Sequence, residues 1–557
     1  MADRRMEVMR LGKLANVLLL IAGISVALNA QREPAFQPPH MEQRGNIHQL
    51  IVNGKPFLVL GGEIYNNSSS SLEYMKGVWP QLQATHLNTV LVPISWGLLE
   101  PSEGKFDYTL VDGLIRDARA HNLHLIFLWF GSWKNTWSSY LPDWVKRDYQ
   151  RFPRVHLADG SATERLSPFS DTNRDSDASA FAALMQRIKE TDGATGTVIM
   201  VQVENEVGVI PDARDHSPEA NAAYSQSVPK ELMNYLLKHK DTLHPSLRER
   251  WETAGGKTSG SWETVFGPGL ATEDLFMAWY YARYINKVME SGKAQYDLPM
   301  FVNAALIRPS YAPGQYNSGG PLAHSIDIWR AGGPRIDFLA PDIYFEFKKW
   351  CTEYDRPGNP LFVPEAADGE KGAAQAFYAI GSHNAFGYSP FGIDRGNDIG
   401  ADSVLSRAYD VLSQLAPLIL ENQLKGQVAG VMLEELTRTQ RIRLGNYTLN
   451  ITPNSGRRPL PPEATYAPDA VVRVPHAIFI AVKHDEFYMA GSGVTITFDT
   501  NSPGFRAGLG TVEEGEFVNG VWHKGRTLGG DDTGQGNSVS LRDVSPGILW
   551  VSLYQYK

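Results

Sequence analysis

The chain has 557 residues, more than one domain usually holds, so two or three are expected. It is 43% hydrophobic and 11% aromatic, enough for a large core, and its net charge of −9 argues against nucleic acid or an anionic membrane surface as a partner. The single cysteine, Cys351, excludes an intrachain disulfide and a cysteine-based zinc site, and the histidines show no H-E-x-x-H spacing.

In chain order, a targeting segment comes first. Arg4, Arg5, Arg10 and Lys13 precede the apolar run 17–24, and Leu28-Asn29-Ala30 offers a cleavage site. Residues 1–30 read as a secretory signal peptide. The run is short of the ~20 residues needed to span a bilayer, so no stable membrane insertion is expected after cleavage. Export without disulfides suits a bacterial periplasm or exterior.

A strand-then-helix rhythm follows. Apolar runs at 57–65, 88–96 and 123–129 come first, then one ending at Glu206. Runs at 299–303 and 337–344 follow, then one ending at Glu365 and a last at 385–389. Continuous apolar runs suit parallel strands buried on both faces. Helix-like stretches separate them at 110–121, 181–191 and 275–291. Eight such units predict an α/β fold, a (β/α)8 TIM barrel over residues 31–425. The stretch 207–298 is too long for one connection and reads as an insertion with helices of its own, such as 229–239. Beyond 426 the runs shorten and alternate, as in Ala477-Ile478-Phe479-Ile480-Ala481-Val482, between turn-rich segments. Residues 426–557 therefore read as an all-β accessory domain, either a sugar-binding module or a structural brace.

A barrel of this kind places its active site at the C-terminal ends of the strands, where Glu63, Trp96, Trp129, Glu206, Asn303, Tyr344 and Glu365 fall. Two glutamates stand out. T-V-I-M-V-Q-V-E-N-E-V-G ends its strand at Asn205-Glu206, and P-L-F-V-P-E-A-A ends its strand at Glu365. Two facing carboxyl groups are the minimum equipment for cleaving a glycosidic bond, so neither metal nor organic cofactor is expected.

These residues carry a family resemblance over roughly 45–400. Q-V-E-N-E-V-G resembles the Q-x-E-N-E-Y-G signature of glycoside hydrolase family 35, the β-galactosidases, within the clan of (β/α)8 retaining glycosidases. N-T-V-L-V-P-I-S-W-G-L-L-E-P-S-E-G-K-F-D-Y resembles that family's second-strand block, and V-N-G-K-P-F-L-V-L-G-G-E-I-Y occupies the place of its opening strand. The resemblance implies Glu206 as general acid/base, Asn205 as the asparagine on the sugar 2-hydroxyl, Glu365 as nucleophile and Tyr344 as the tyrosine that orients it. It implies an exo-acting retaining β-galactosidase on oligosaccharides or plant polysaccharide side chains.

The sequence also departs from the family pattern. Val207 replaces the signature tyrosine, Pro93 stands where the second strand often carries a tyrosine, and Phe130-Gly131-Ser132-Trp133 replaces a C-A-E-W motif. Ser132 thus takes the place of a sugar-gripping glutamate, and Glu63 is the candidate to supply the missing acceptor. Trp96, Trp133 and Trp137 are candidates for the sugar subsite or for core, and Asn135 and Tyr388 are further candidate contacts. Glu204 is expected behind the site on a backbone amide or an arginine, and Cys351 as a passive buried thiol. A related β-glycosidase, such as a glucosaminidase or arabinosidase, and a catalytically inactive carbohydrate-binding barrel are the alternatives. Oligomeric state is not legible.

Overall fold

The computed structural model describes residues 36–396, 399–434, 439–454, 474–541 and 547–557. The targeting segment expected at 1–30 lies outside the described residues. Residues Pro38–Lys557 form one compact unit.

The eight expected strands form a parallel barrel. Val59–Glu63, Thr89–Ser95, His124–Lys134, Val198–Asn205, Met300–Ala305 and Phe338–Asp342 pair side by side in that order, and Gly387–Tyr388 pairs with the first. The seventh run closes the ring through parallel bridges, Ile343 with Ala366 and Val363 with Tyr388. Its backbone bonds run both ways: Ile343 N–H donates to Glu365 O at 2.8 Å and Ser389 N–H to Val363 O at 2.9 Å.

Side chains alternate along each strand, and this sorts two apolar layers. Val59, Leu91, Leu128, Phe130, Met200, Phe301, Phe338, Phe362 and Phe386 fill the barrel interior. Their partners in antiphase, such as Val90, Val92, Leu125, Phe127 and Trp129, face the helices. The phenyl rings of Phe301 and Phe338 stack at 5.1 Å and those of Phe362 and Phe386 at 5.2 Å, giving the barrel a solid aromatic filling below the site. A small antiparallel sheet of His40–Arg44, Ile47–Val52 and Lys55–Phe57 precedes the barrel, and its Leu50 and Val52 join the same interior cluster.

Helices return the chain between strands, including Leu72–Ala84, Thr109–Ala120, Asp171–Asp192, Gly369–His383 and Val404–Gln423. Ser170 and Ser403 cap two of them by accepting backbone N–H groups of Asn173 and Ser406. Within 207–298, the short helices Pro218–Tyr224, Lys230–Lys238, Pro245–Thr253 and Trp262–Phe266 precede Leu270–Gln295. That last helix is the barrel's own return after the fourth strand and packs on Asp171–Asp192. The extra material is therefore shorter than the sequence suggested and ends near Gly269.

Beyond 426, among the described residues, the strands pair antiparallel. Six of them, Val428–Met432, His476–Lys483, Glu486–Ser492, Ile548–Tyr556, Arg506–Val518 and Val521–Leu528, make one sheet. Gln440–Leu444, Tyr447–Pro453, Val494–Thr500 and Val539–Leu541 make another. Leu449, Ile451, Phe479, Phe487, Ile496 and Val551 share a separate apolar core between them. The larger sheet lies on the barrel. Its strand Val428–Met432 runs against helix Gly369–His383, where a Cβ on Gly381 would stand 2.6 Å from Gly430 Cα. A Cβ on Gly430 would stand 2.6 Å from Phe377 O, so two glycines permit this approach.

Candidate active site

The fourth strand ends in a strained backbone. Glu204 and Glu206 hold φ of 63° and 47°, the left-handed region that glutamate avoids. Neighbours fix this conformation. Glu206 N–H donates to Asn303 Oδ1 at 3.0 Å, and Glu206 O accepts from Asn317 Nδ2 at 2.8 Å and from Thr136 N–H at 3.2 Å. The Glu204 carboxylate turns away from the barrel mouth and accepts from the backbone N–H of Ser132 at 3.0 Å and Trp133 at 2.6 Å. Burial and the nearby Asp177 push its pKa well up. Glu204 is thus tied to backbone amides behind the site, one of the two roles expected of it. Gly131 makes room, since a Cβ there would stand 2.6 Å from Glu204 Oε1.

Glu206 and Glu365 meet across the barrel mouth. One carboxylate oxygen each from Glu206, Asp342 and Glu365 lie within 4.8 Å of one another. Asn205 Nδ2 donates to Glu365 Oε1 at 3.2 Å, and Tyr344 OH donates to Glu365 Oε2 at 3.0 Å. Asn303 Nδ2 donates to Asp342 Oδ2 at 2.7 Å and reaches Glu365 Oε1 at 3.5 Å. Glu365 is therefore held as an acceptor from three directions. Glu63 projects from the end of the first strand, wholly buried, and neither of its carboxyl oxygens has a hydrogen-bond partner.

The electrostatics separate these carboxyls. Burial, then the charge of Glu365, pushes Glu206 up to about 7, against the opposing pull of Lys134. Burial, then Glu365, also raises Glu63 well above the carboxylate range. Asp342 rises for the same two reasons, with Glu206 close enough to share a proton. Lys134 faces all four. Burial disfavours its ammonium, but Glu365, Glu206, Glu63 and Asp342 outweigh burial and hold its pKa above the usual value. Its Nζ donates to Asn205 Oδ1 at 2.8 Å and Asn135 Oδ1 at 2.7 Å.

Glu206, Glu365, Asn205, Glu63 and Tyr344 therefore come together, and Asn135 lies at the mouth beside Lys134. Three expected sugar contacts are corrected. Trp96 is fully buried and donates its Nε1–H to Glu100 Oε2 at 2.7 Å. Trp133 is buried against Tyr281 and Tyr284 and donates to Leu166 O at 3.1 Å. Tyr388 is buried and donates to Ala367 O at 2.8 Å. All three point to the helix layer, because the strand or turn that carries them presents that face outward. Ser132 likewise points outward, its Oγ donating to Asp177 Oδ2 at 2.6 Å, and fills no glutamate's place. Trp137 is 48% exposed, with Arg165 over its ring at 4.0 Å. Lys134 and Asp342 were not anticipated. Asp342 is in phase with inward-facing Ala340, a signal the sequence did carry.

The comparisons agree with this chemistry. A family model described as β-galactosidase, that of glycoside hydrolase family 42, matches residues 65–298, and a domain of unknown function (DUF5597) matches 405–540. The matching model is thus family 42 where the motifs had pointed to family 35. A β-galactosidase of Xanthomonas manihotis is 27% identical over 37% of this chain and 32% of its own length. The crystal structure of a β-galactosidase from Bacillus circulans sp. alkalophilus aligns at TM-score 0.45 and 16% identity, covering 66% of this chain and 57% of that one. The catalytic domain of a β-amylase from Paenibacillus polymyxa aligns at TM-score 0.45 and 11% identity, covering 64% and 98%. The chain spans about a third of the length of the curated relative it matches.

Proposed function

We propose that this chain is a retaining, exo-acting glycoside hydrolase that removes terminal β-D-galactose from oligosaccharides or plant polysaccharide side chains. The observation that carries the reading is the approach of Glu206 to Glu365 within 4.8 Å, with Asn205 and Tyr344 both bonded to Glu365. Retaining glycosidases place their carboxyls about 5–5.5 Å apart, whereas inverting ones leave room for a water.

In the first step Glu365 attacks the anomeric carbon while Glu206 gives its proton to the departing glycosidic oxygen. A covalent glycosyl-enzyme forms and the aglycone leaves. Glu206, now a carboxylate, takes a proton from water, the water oxygen attacks the anomeric carbon, and Glu365 departs with the configuration retained. A group with a pKa of about 7 suits both halves of this cycle. Asn205 Nδ2 and Tyr344 OH keep the nucleophile aimed. Glu63, with both carboxyl oxygens unpartnered, suits sugar hydroxyls.

The family-35 motifs and the family-42 match share the β-galactosidase description, and the proposal rests on that shared part. A related β-glycosidase is the second reading, favoured by the outward turn of residue 132, which leaves the mouth without the family's glutamate there and Glu63 and Lys134 to grip the sugar. The residues at 1–30 support export to a bacterial periplasm or exterior. Among the described residues, no helix is long and apolar enough to cross a membrane.

The test is hydrolysis of a panel of aryl β-glycosides by wild type, Glu365→Gly and Glu206→Ala, with azide added in parallel. Expected are turnover of the galactoside, its loss in both variants, a β-glycosyl azide from Glu206→Ala and an α-glycosyl azide from Glu365→Gly. Turnover of a different glycoside would move the substrate and keep the mechanism. No turnover by folded wild type would favour the inactive binding barrel.

A further inference from the structure

We infer that a hollow on the barrel rim, beside the loops that follow the first three strands, is a saccharide subsite for the aglycone portion of the substrate. The inference rests on the galactosidase reading above and extends it to what the galactose is attached to.

Position comes first. The leaving group must lie on the side of the acid that protonates it, and loop 134–137 flanks that acid. Asn135 N–H donates to Asn205 O at 3.1 Å and Thr136 N–H to Glu206 O at 3.2 Å. The same loop borders a hollow of about 320 Å³ walled by Asn135, Trp137 and Tyr140. Asn66, Ser139 and Tyr140 are common to that hollow and to a larger one of about 610 Å³. The larger one continues outward past Ile94, Ser95 and Leu98 to Asp143 and Lys146. The two form one path leading away from the acid.

The wall chemistry suits a neutral sugar chain. Leu98, 47% exposed, and the ring of Tyr140 offer apolar surface to the C–H faces of pyranoses. Asn66, Asn67, Ser70, Ser95 and Asp107 offer donors and acceptors to their hydroxyl rims. Tyr140 OH donates to Asn67 Oδ1 at 3.0 Å, which steadies the ring, and the buried Oδ1 of Asn66 has no hydrogen-bond partner. Ligand sites of ~300–1,000 Å³ with mostly apolar walls and a few convergent polar groups are the usual form for small-molecule recognition. The acids Asp107 and Asp143 against Lys146 leave no strong charge preference, so an uncharged oligosaccharide is the matching class.

The experiment compares kcat/KM on nitrophenyl β-galactoside, lactose and a β-galactosylated tetrasaccharide for wild type, Leu98→Trp and Ser70→Trp, with melting curves to establish folding. In wild type the tetrasaccharide should exceed the aryl galactoside by about tenfold or more. Each variant, its added ring filling the hollow, should lose that advantage while aryl galactoside turnover stays within about twofold of wild type. No advantage in wild type, or an advantage that survives in both folded variants, overturns the inference. If folded wild type turns over none of the three, the galactosidase reading itself has failed and takes this inference with it. The aryl galactoside, which needs no sugar in the hollow, tells that failure apart from loss of the subsite alone.

Discussion

Lys134 Nζ donates to Asn205 Oδ1 at 2.8 Å, and this fixes which way the Asn205 amide faces. With its oxygen engaged, the amide must present Nδ2 to Glu365. Lys134→Met should therefore release the amide, and kcat/KM on an aryl galactoside should fall by about 10²-fold. The same change removes a positive charge that lowers the pKa of Glu206, so the alkaline limb of the remaining activity should move to higher pH. Steady-state profiles of the variant read both effects.

The acid/base must be protonated for the first step, so kcat/KM should decline as pH rises through about 7, the value at which Glu206 titrates. In Glu206→Ala, assayed on a galactoside whose leaving group needs no protonation, that limb should vanish. A limb that persists unchanged would mean another group controls it.

Glu63 predicts a change in stability. Its pKa in the fold stands well above the ordinary carboxyl value of 4.5, with burial as the main cause. The native state therefore holds the proton more tightly than the unfolded chain. The associated stability is full below about pH 4.5 and is lost as pH rises through the folded value. Glu63→Gln escapes that loss. Its melting temperature should exceed that of wild type by about 2–4 °C at pH 8 and match it at pH 4. Because the side chain suits sugar hydroxyls, the stabilised variant should also have a raised KM.

Trp96 and Trp137 should behave oppositely. Trp96→Phe deletes a buried hydrogen bond to Glu100 and core volume, and should destabilise the fold by about 1–3 kcal/mol without changing KM. Trp137→Ala removes a half-exposed ring beside the mouth and should alter KM for oligosaccharides while leaving the melting curve in place. Urea unfolding and kinetics on the two variants separate core from site.

The barrel and its two carboxyl-bearing strand ends were legible because long apolar runs and their order survive without any knowledge of contacts. What the sequence could not sort was direction. A strand buried on both faces carries apolar residues in either phase, so Trp133 and Tyr388 read as well inward as outward, and both point outward. Trp96 begins a helical turn, Trp96–Leu99, where strand alternation no longer applies. No local pattern marks Lys134, which follows an outward-facing tryptophan; only its pairing with Asn205, past a register shift between the two strands, brings it inward. Asp342 was hidden as one polar residue in an apolar run. Its use depends on Asn303 and Glu206, 39 and 136 residues away in sequence, which no local pattern connects.

The meeting of Gly381 with Gly430 bears on how such a chain can be inherited. Helix Gly369–His383 follows directly on the segment that carries Glu365, and the accessory sheet is pressed onto it with no side chain between. The matched domain of unknown function begins at 405, at the start of the last barrel helix rather than after it. An exchange of the sheets along the matched boundary would carry the last barrel helix with them and would need a recipient with the same bare helix face. A side chain at either glycine would push the sheet and this helix apart, and the shift would reach the segment that carries Glu365.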